Sequence, residues 1–86
     1  MYGLIWYRDA LEQLADIYVA ATPKDRERIA ASVESLNARL REDPFEVGES
    51  RSGNHRIAFS PLVSIMFYVS KADQMVWVIF LRRYGK

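Results

Sequence analysis

Cysteine is absent from the sequence, histidine occurs once, and there is no long hydrophobic run. A chain without cysteine forms neither disulfides nor thiolate metal sites. A single histidine also excludes a zinc site of the usual His/Cys type, so we expect no metal and no cofactor. No apolar run approaches the roughly 18–20 residues of a membrane span, and the N-terminus lacks a signal-peptide pattern. We therefore expect a cytoplasmic protein without a membrane partner.

Other catalytic signatures are missing as well. None of the four glycines belongs to a phosphate-binding motif. The acidic residues are scattered rather than clustered, which argues against a two-metal nuclease. What remains is ordinary globular composition, with 50% hydrophobic and 27% charged residues. A chain of 86 residues suffices for one hydrophobic core, so residues 1–86 are expected to form a single domain.

Charge is divided unevenly along the chain. Residues 1–50 contain six basic and ten acidic residues, a net charge of −4. Residues 51–86 contain six basic residues and only Asp73 as an acid, a net charge of +5. Such an asymmetry suggests an anionic partner for the basic half. The simpler alternative is chance clustering on a solvated surface.

The first half predicts a strand followed by a helical hairpin. Residues 2–7 are rich in aromatic and β-branched types, as in a strand. Asp9 is suited to cap a first helix that runs to about Ala21. The side chains of this helix expected to face the core are Leu11, Leu14, Tyr18 and Ala21.

A second helix is predicted to begin at Thr22-Pro23, where a capping residue precedes proline at the first helical position. It is expected to end at Asp43-Pro44, because the residue before proline is pushed out of the helical region. Its apolar stripe predicts a face that packs on the core and consists of Ile29, Val33, Leu36 and Leu40.

After residue 45 the hydrophobic period changes to two, which predicts strands at 56–60, 63–70 and 75–83. Short connections favour antiparallel pairing. The last strand is apolar on both faces and is expected inside the sheet, with Val76, Val78, Phe80 and Arg82 on one face and Trp77, Ile79, Leu81 and Arg83 on the other. The predicted fold class is therefore α+β, in the order β-α-α-β-β-β, with the hairpin covering one face of a mainly antiparallel sheet.

The candidate site collects arginines of the basic half. Arg51 and Arg56 lie around the start of the first of these strands, and Arg82-Arg83-Tyr84 closes the last one. Guanidinium groups match phosphate geometry, and an adjacent aromatic ring can stack on a base. Neighbouring strand residues point to opposite faces, so we expect one arginine of the closing pair to join Arg51 and Arg56 on one concave face. The alternative is that Arg51, Arg82 and Arg83 pair with the acidic helices.

Two residues near these arginines are candidate proton-transfer groups. Histidine is the residue type whose unperturbed pKa lies near neutrality, and His55 is the only histidine in the sequence. Glu49 is the only carboxylate in this basic segment, where a base for a ribose 2′-OH has to lie. Either residue is equally well explained as a surface side chain, with Glu49 pairing with Arg51 or Arg56.

The order of these motifs resembles the RelE/ParE superfamily of toxins from type II toxin–antitoxin systems, which includes plasmid stabilisation proteins. The resemblance extends over nearly the whole chain and is carried by the opening strand with Trp6, the hairpin ending at residues 40–44, the block 48–56, Tyr68-Val69 and the closing residues 82–84. It implies a compact α+β toxin that a cognate antitoxin neutralises, assembled as a homodimer or as a toxin–antitoxin hetero-oligomer.

Members similar to RelE cut mRNA on the ribosome without a metal, by attack of a ribose 2′-OH on the adjacent phosphate. The resemblance thus implies an endoribonuclease that arrests translation. In this chain Arg56 and Arg83 (or Arg82) would stabilise the transition state, and Arg51 would help Arg56 and Arg83 to bind RNA phosphate. Tyr84 would stack on a base or assist proton transfer, and Glu49 or His55 would be the base. Arg56→Ala and Arg83→Ala are then expected to relieve toxicity with folding retained.

Two alternatives stay open. Members similar to ParE share the fold but poison DNA gyrase, which requires no nuclease residues. The chain is also consistent with a catalytically degenerate domain that only binds an antitoxin, or with a small adaptor whose sheet edge accepts a partner strand or helix.

Overall fold

The computed structural model describes residues 1–85. Strand β1 (Gly3–Trp6) is followed by helices α1 (Arg8–Ala20) and α2 (Pro23–Glu42) and by a 3₁₀ turn (Pro44–Glu46). The remaining strands are β2 (Glu49–Ser50), β3 (His55–Ser60), β4 (Val63–Ser70) and β5 (Met75–Arg83). The predicted α+β fold is confirmed, and β2 is a short strand that the sequence pattern did not indicate. Within residues 1–85 no helix is both long and apolar enough to cross a membrane.

The five strands form one sheet in the order β1-β5-β4-β3-β2. β1 runs parallel to β5, and all other neighbouring pairs are antiparallel. β5 therefore has a partner on each side, as its two apolar faces predicted. The helices pack on one side of this sheet, which we call the covered face; the opposite side is the open face.

Strict alternation in β4 identifies the covered face. Every second side chain of this strand is buried, and those between are only partly buried. The buried set is Val63, Ile65, Phe67 and Val69. These residues share one core with Ile29, Leu36 and Leu40 of α2, with Val33 at its margin. The predicted apolar stripe of α2 is thus confirmed.

Helix α2 begins as predicted. The Thr22 hydroxyl accepts a hydrogen bond from the Asp25 main-chain N–H at 3.2 Å, and Pro23 occupies the first turn. The Arg26 guanidinium donates to the carbonyls of Tyr18 and Val19, at 2.8 and 2.9 Å. Because carbonyls at the end of a helix lack partners within it, Arg26 completes the C-terminus of α1.

The predicted cap of α1 is wrong. Tyr7 is the capping residue and makes no side-chain capping bond, whereas Asp9 lies within the first turn. The reason is that the Tyr7 N–H still pairs with the Val78 carbonyl in the sheet, at 2.9 Å. The chain therefore passes from strand to helix through Tyr7, without a side-chain capping bond.

The buried face of α1 is rotated relative to the prediction. Ala10 is fully buried, Leu14 and Ala21 pack against the core as predicted, and Ile17 joins them. Leu11 and Tyr18, which were expected to face the core, are 50% and 42% exposed. The helix thus turns part of its apolar surface away from the sheet.

A β-bulge at Ile79 reverses the predicted alternation in the last third of β5. Phe67 pairs with Val78 and Met66 with Phe80, so Ile79 is the extra residue. The Gln13 side-chain oxygen, from α1, accepts the Leu81 N–H at 2.7 Å. As a result Leu81 and Arg83 lie on the covered face, and Phe80 and Arg82 lie on the open face.

Candidate functional site

The sheet keeps the predicted arginines apart. Arg56 is opposite Phe67 and Arg83 is opposite Val63, so both belong to the covered face. Their partners are four residues apart on β4, about 13 Å along the strand, and the core lies between them. Arg82 is on the other face. One arginine of the closing pair, Arg83, shares a face with Arg56 as predicted, but the predicted convergence of the arginines at one concave site is wrong.

Arg56 holds the segment that follows α2. Its guanidinium donates to the carbonyls of Phe45, Val47 and Gly48, at 3.0, 3.1 and 3.1 Å. Three of its five N–H donors are thus bonded to the main chain. Gly48 has φ +66°, and a side chain there would collide with the Ile57 carbonyl. Arg56 and Gly48 together fix the close approach of this segment to β3.

Arg51 and Glu49 form an exposed ion pair. The Arg51 guanidinium lies 3.2 Å from the Glu49 carboxylate, and the side chains are 45% and 71% exposed. This is the pairing that the sequence offered as the alternative to a catalytic Glu49. An exposed pair of this type contributes little to stability.

Arg83 is paired with the first turn of α2. Its guanidinium lies 3.1 Å from the Asp25 carboxylate, and Arg28 approaches the same carboxylate at 3.9 Å. For Arg83 the structure therefore has the alternative arrangement, an ion pair with an acidic helix.

His55 begins a row of rings across the open face. Its ring centroid lies 5.3 Å from that of Tyr68, which lies 5.5 Å from that of Trp77. All three side chains are partly buried. Tyr68, the middle ring of this row, is four residues along β4 from Ser64, the partner of Arg82, about 13 Å. His55 and Arg82 thus share the open face but lie at opposite ends of it.

A small apolar pocket on the open face includes Arg82 among its lining residues. Its volume is about 170 Å³, and its lining residues are Ile57, Ser64, Ile65, Met66, Phe80 and Arg82. The Arg82 guanidinium lies 5.5 Å from the centre of the Phe80 ring. A cation on an aromatic face is held by the ring quadrupole, so Phe80 helps to hold Arg82 in the lining of the pocket.

Tyr84 is placed by the turn between β3 and β4. Its ring packs on Phe59 with centroids 4.6 Å apart, and its N–H donates to the Leu62 carbonyl at 3.0 Å. Leu62 is buried although its φ is +69°, and the Ser32 hydroxyl donates to the neighbouring Pro61 carbonyl at 2.7 Å. The turn is thus fixed to α2 and determines where Tyr84 lies.

A larger groove separates the two helices, and sequence reasoning missed it. Its volume is about 800 Å³, and its apolar walls include Leu11, Leu14, Tyr18, Val19 and Val33. Val19 is 73% exposed. The sequence does indicate an apolar helix face, since Leu11 and Tyr18 are at helical spacing. That spacing does not reveal whether the surface that covers this face belongs to the same chain or to another one.

The chemistry available to the predicted site is limited by this placement. Within residues 1–85, no point of either face brings a histidine or glutamate together with two arginines free of protein acceptors. The open face instead combines a row of rings, an apolar pocket and one guanidinium. These groups are suited to binding.

No protein-family model matches the sequence, and no curated protein does either. Solved structures do match over the whole chain. A chain of the chromosomal ParDE toxin–antitoxin system from P. aeruginosa superposes with a TM-score of 0.74 at 19% identity, covering 99% of this chain and 98% of that one. A chain of the RelBE2 complex from Mycobacterium tuberculosis gives 0.75 at 17% identity, with coverages of 99% and 93%.

The isolated RelE toxin of E. coli is also similar. It superposes with a TM-score of 0.69 at 16% identity, covering 100% of this chain and 87% of RelE. The fold of this chain is therefore the RelE/ParE fold, in agreement with the resemblance noted in the sequence.

Proposed function

We propose that this chain, which has the RelE/ParE fold, is the toxin of a type II toxin–antitoxin module and arrests growth by binding its target rather than by cleaving RNA. The first part is supported by the likeness to the RelE toxin and to chains of the ParDE and RelBE2 complexes over nearly the full length. The second part depends on the arrangement of the arginines.

The observation that supports a binding mechanism is the separation of Arg56, Arg82 and Arg83. Cleavage by a ribose 2′-OH requires a base and several cations around one phosphate, because charge develops there in the transition state. Here Arg56 is bonded to main-chain carbonyls and Arg83 to Asp25. An inhibitor that only binds needs no such cluster, and DNA gyrase is the first target to test.

The helical groove supports the antitoxin as the partner. Apolar grooves between helices accept an amphipathic partner helix, and α1, with 13 residues, is about 20 Å long. Leu11, Tyr18 and Val19 are exposed along this length. We propose that a helical segment of the antitoxin covers these residues and thereby neutralises the toxin.

An endoribonuclease remains the second candidate, because His55 is on the open face. An imidazole there can act as a base, and the adjacent rings of Tyr68 and Trp77 can stack on RNA bases. Arg51, whose N–H donates to the His55 carbonyl, would be the cation close to this base, whereas Arg82 lies at the opposite end of the face. The two candidates differ in the state of the mRNA during growth arrest.

Controlled expression in a bacterial host tests the proposal. Induction of the chain is expected to stop growth, and co-expression of the reading frame adjacent to its gene is expected to restore it. Val19→Asp, which places a charge in the groove, should remain toxic but escape neutralisation. If induction has no effect on growth at high expression, the toxin proposal is wrong.

A further inference from the structure

The open face exposes several large apolar side chains to solvent. Ile5, Phe59 and Phe80 are 47%, 48% and 37% exposed, and they belong to three different strands. The side chains between them include Met66, Tyr68 and Trp77, which are only partly buried. Contiguous apolar surface of this kind marks an interaction site.

Arg82 gives this surface a charge preference. Within residues 1–85 it has no carboxylate within 4 Å, whereas Arg51 and Arg83 are both paired. A single unpaired guanidinium beside an apolar pocket is complementary to one carboxylate beside an apolar side chain. Binding to a nucleic acid requires several phosphate contacts, and among the described strand residues of the open face Arg82 is the one lysine or arginine.

The pocket beside Arg82 has the features of an interface anchor point. It holds about 170 Å³ between Ile57, Met66 and Phe80, which is room for one apolar side chain. Interface energy is concentrated where an anchor enters a desolvated pocket ringed by further contacts. The rings of Tyr68, Trp77 and Phe59 provide that surrounding surface.

We infer that the open face is the surface that binds the toxin's target, and that this target is a protein presenting an apolar side chain beside a carboxylate. The apolar side chain fills the pocket at Phe80, and the carboxylate pairs with Arg82. The inference rests on the proposed function, and it separates the target surface from the helical groove assigned to the antitoxin.

The test compares open-face variants with matched controls in the growth assay. Arg82→Glu and Phe80→Ser should each raise the amount of protein needed for arrest by about 30-fold, the loss typical of an interface hot spot. Arg82→Lys should retain most of the effect, because it keeps the charge. The controls Lys24→Glu and Phe45→Ser should remain fully toxic; Phe45 is 40% exposed, close to the 37% of Phe80.

A second set of readouts separates folding and other ligands from loss of target binding. Both open-face variants should unfold within a few degrees of the wild type and still bind the adjacent reading frame's product. If the wild-type chain arrests growth and the Arg82→Glu and Phe80→Ser variants are equally toxic, the inference is wrong while the proposed function stands. A wild-type chain without effect on growth overturns the proposed function, and the inference falls with it.

Two further results would also overturn it. In the first, the wild-type chain binds a labelled single-stranded RNA of mixed sequence at submicromolar concentration and Arg82→Glu abolishes this binding. The ligand of the open face would then be a nucleic acid. The other is a dimer in light scattering that Phe80→Ser dissociates, since the occupant would then be a second copy of the chain. We expect a monomer that does not bind this RNA.

Discussion

Replacing Arg56 by alanine removes three hydrogen bonds to the carbonyls of Phe45, Val47 and Gly48. The bond to Val47 is partly buried and the other two are exposed. Taking about 1.5 kcal/mol for the first and about 0.75 kcal/mol for each of the others, we expect a loss of about 3 kcal/mol in the free energy of unfolding. For a domain of this size the melting temperature should fall by about 12 °C or more.

Urea unfolding followed by tryptophan fluorescence measures this loss. Arg51→Ala is the control, because it removes an equally charged side chain whose partners are exposed, and it should cost about 0.5 kcal/mol or less. Arg56→Lys should be intermediate, since an ammonium group cannot donate along the three directions of the guanidinium. Equal stability of Arg56→Ala and Arg51→Ala would refute a structural role for Arg56. Arg56→Ala is therefore expected to fold, as the sequence predicted, but with reduced stability.

Three other stability predictions follow from single contacts, each measured by the same unfolding assay. Gly48→Ala should lower the free energy of unfolding by more than about 3 kcal/mol, because the added side chain meets the Ile57 carbonyl. Gly53→Ala, at a similar φ but in open space, should lower it by about 1 kcal/mol. Equal losses would contradict the close approach of Gly48 to β3. Gln13→Ala should cost about 1–3 kcal/mol by leaving the Leu81 N–H unpaired, and Glu12→Ala should be neutral. Ser32→Ala should cost about 1 kcal/mol through loss of the bond to Pro61, unlike the exposed Ser35→Ala.

Hydrophobic periodicity was sufficient to predict the fold, because the buried residues of α2 and β4 follow regular periods. Helix α2 also carries an unambiguous start at Thr22-Pro23. The bulge at Ile79 escaped prediction for a physical reason. Ile79 and Phe80 are both apolar, so the pattern of residue types does not reveal that Ile79 is the extra residue of a bulge. The bulge exchanges the faces of Arg82 and Arg83 relative to the prediction.

The site was harder to predict than the fold, because arginine side chains choose partners that are distant in the sequence. Asp25 is 58 residues from Arg83, and the carbonyls bonded to Arg56 belong to a turn without a regular pattern. The polar segment and its local pair, Arg51 with Glu49, were within reach of sequence reasoning. Tertiary placement then decided which of the four candidate arginines has no carboxylate or carbonyl partner within residues 1–85, and that is Arg82.

The most direct test of the central claim follows viable cells and full-length mRNA in parallel after induction of the wild-type chain. We predict that growth stops while transcripts remain full length, and that Arg82→Glu restores growth. Transcripts shortened at defined positions before growth stops, with His55→Ala abolishing both effects, would contradict a toxin that acts by binding and would establish RNA cleavage.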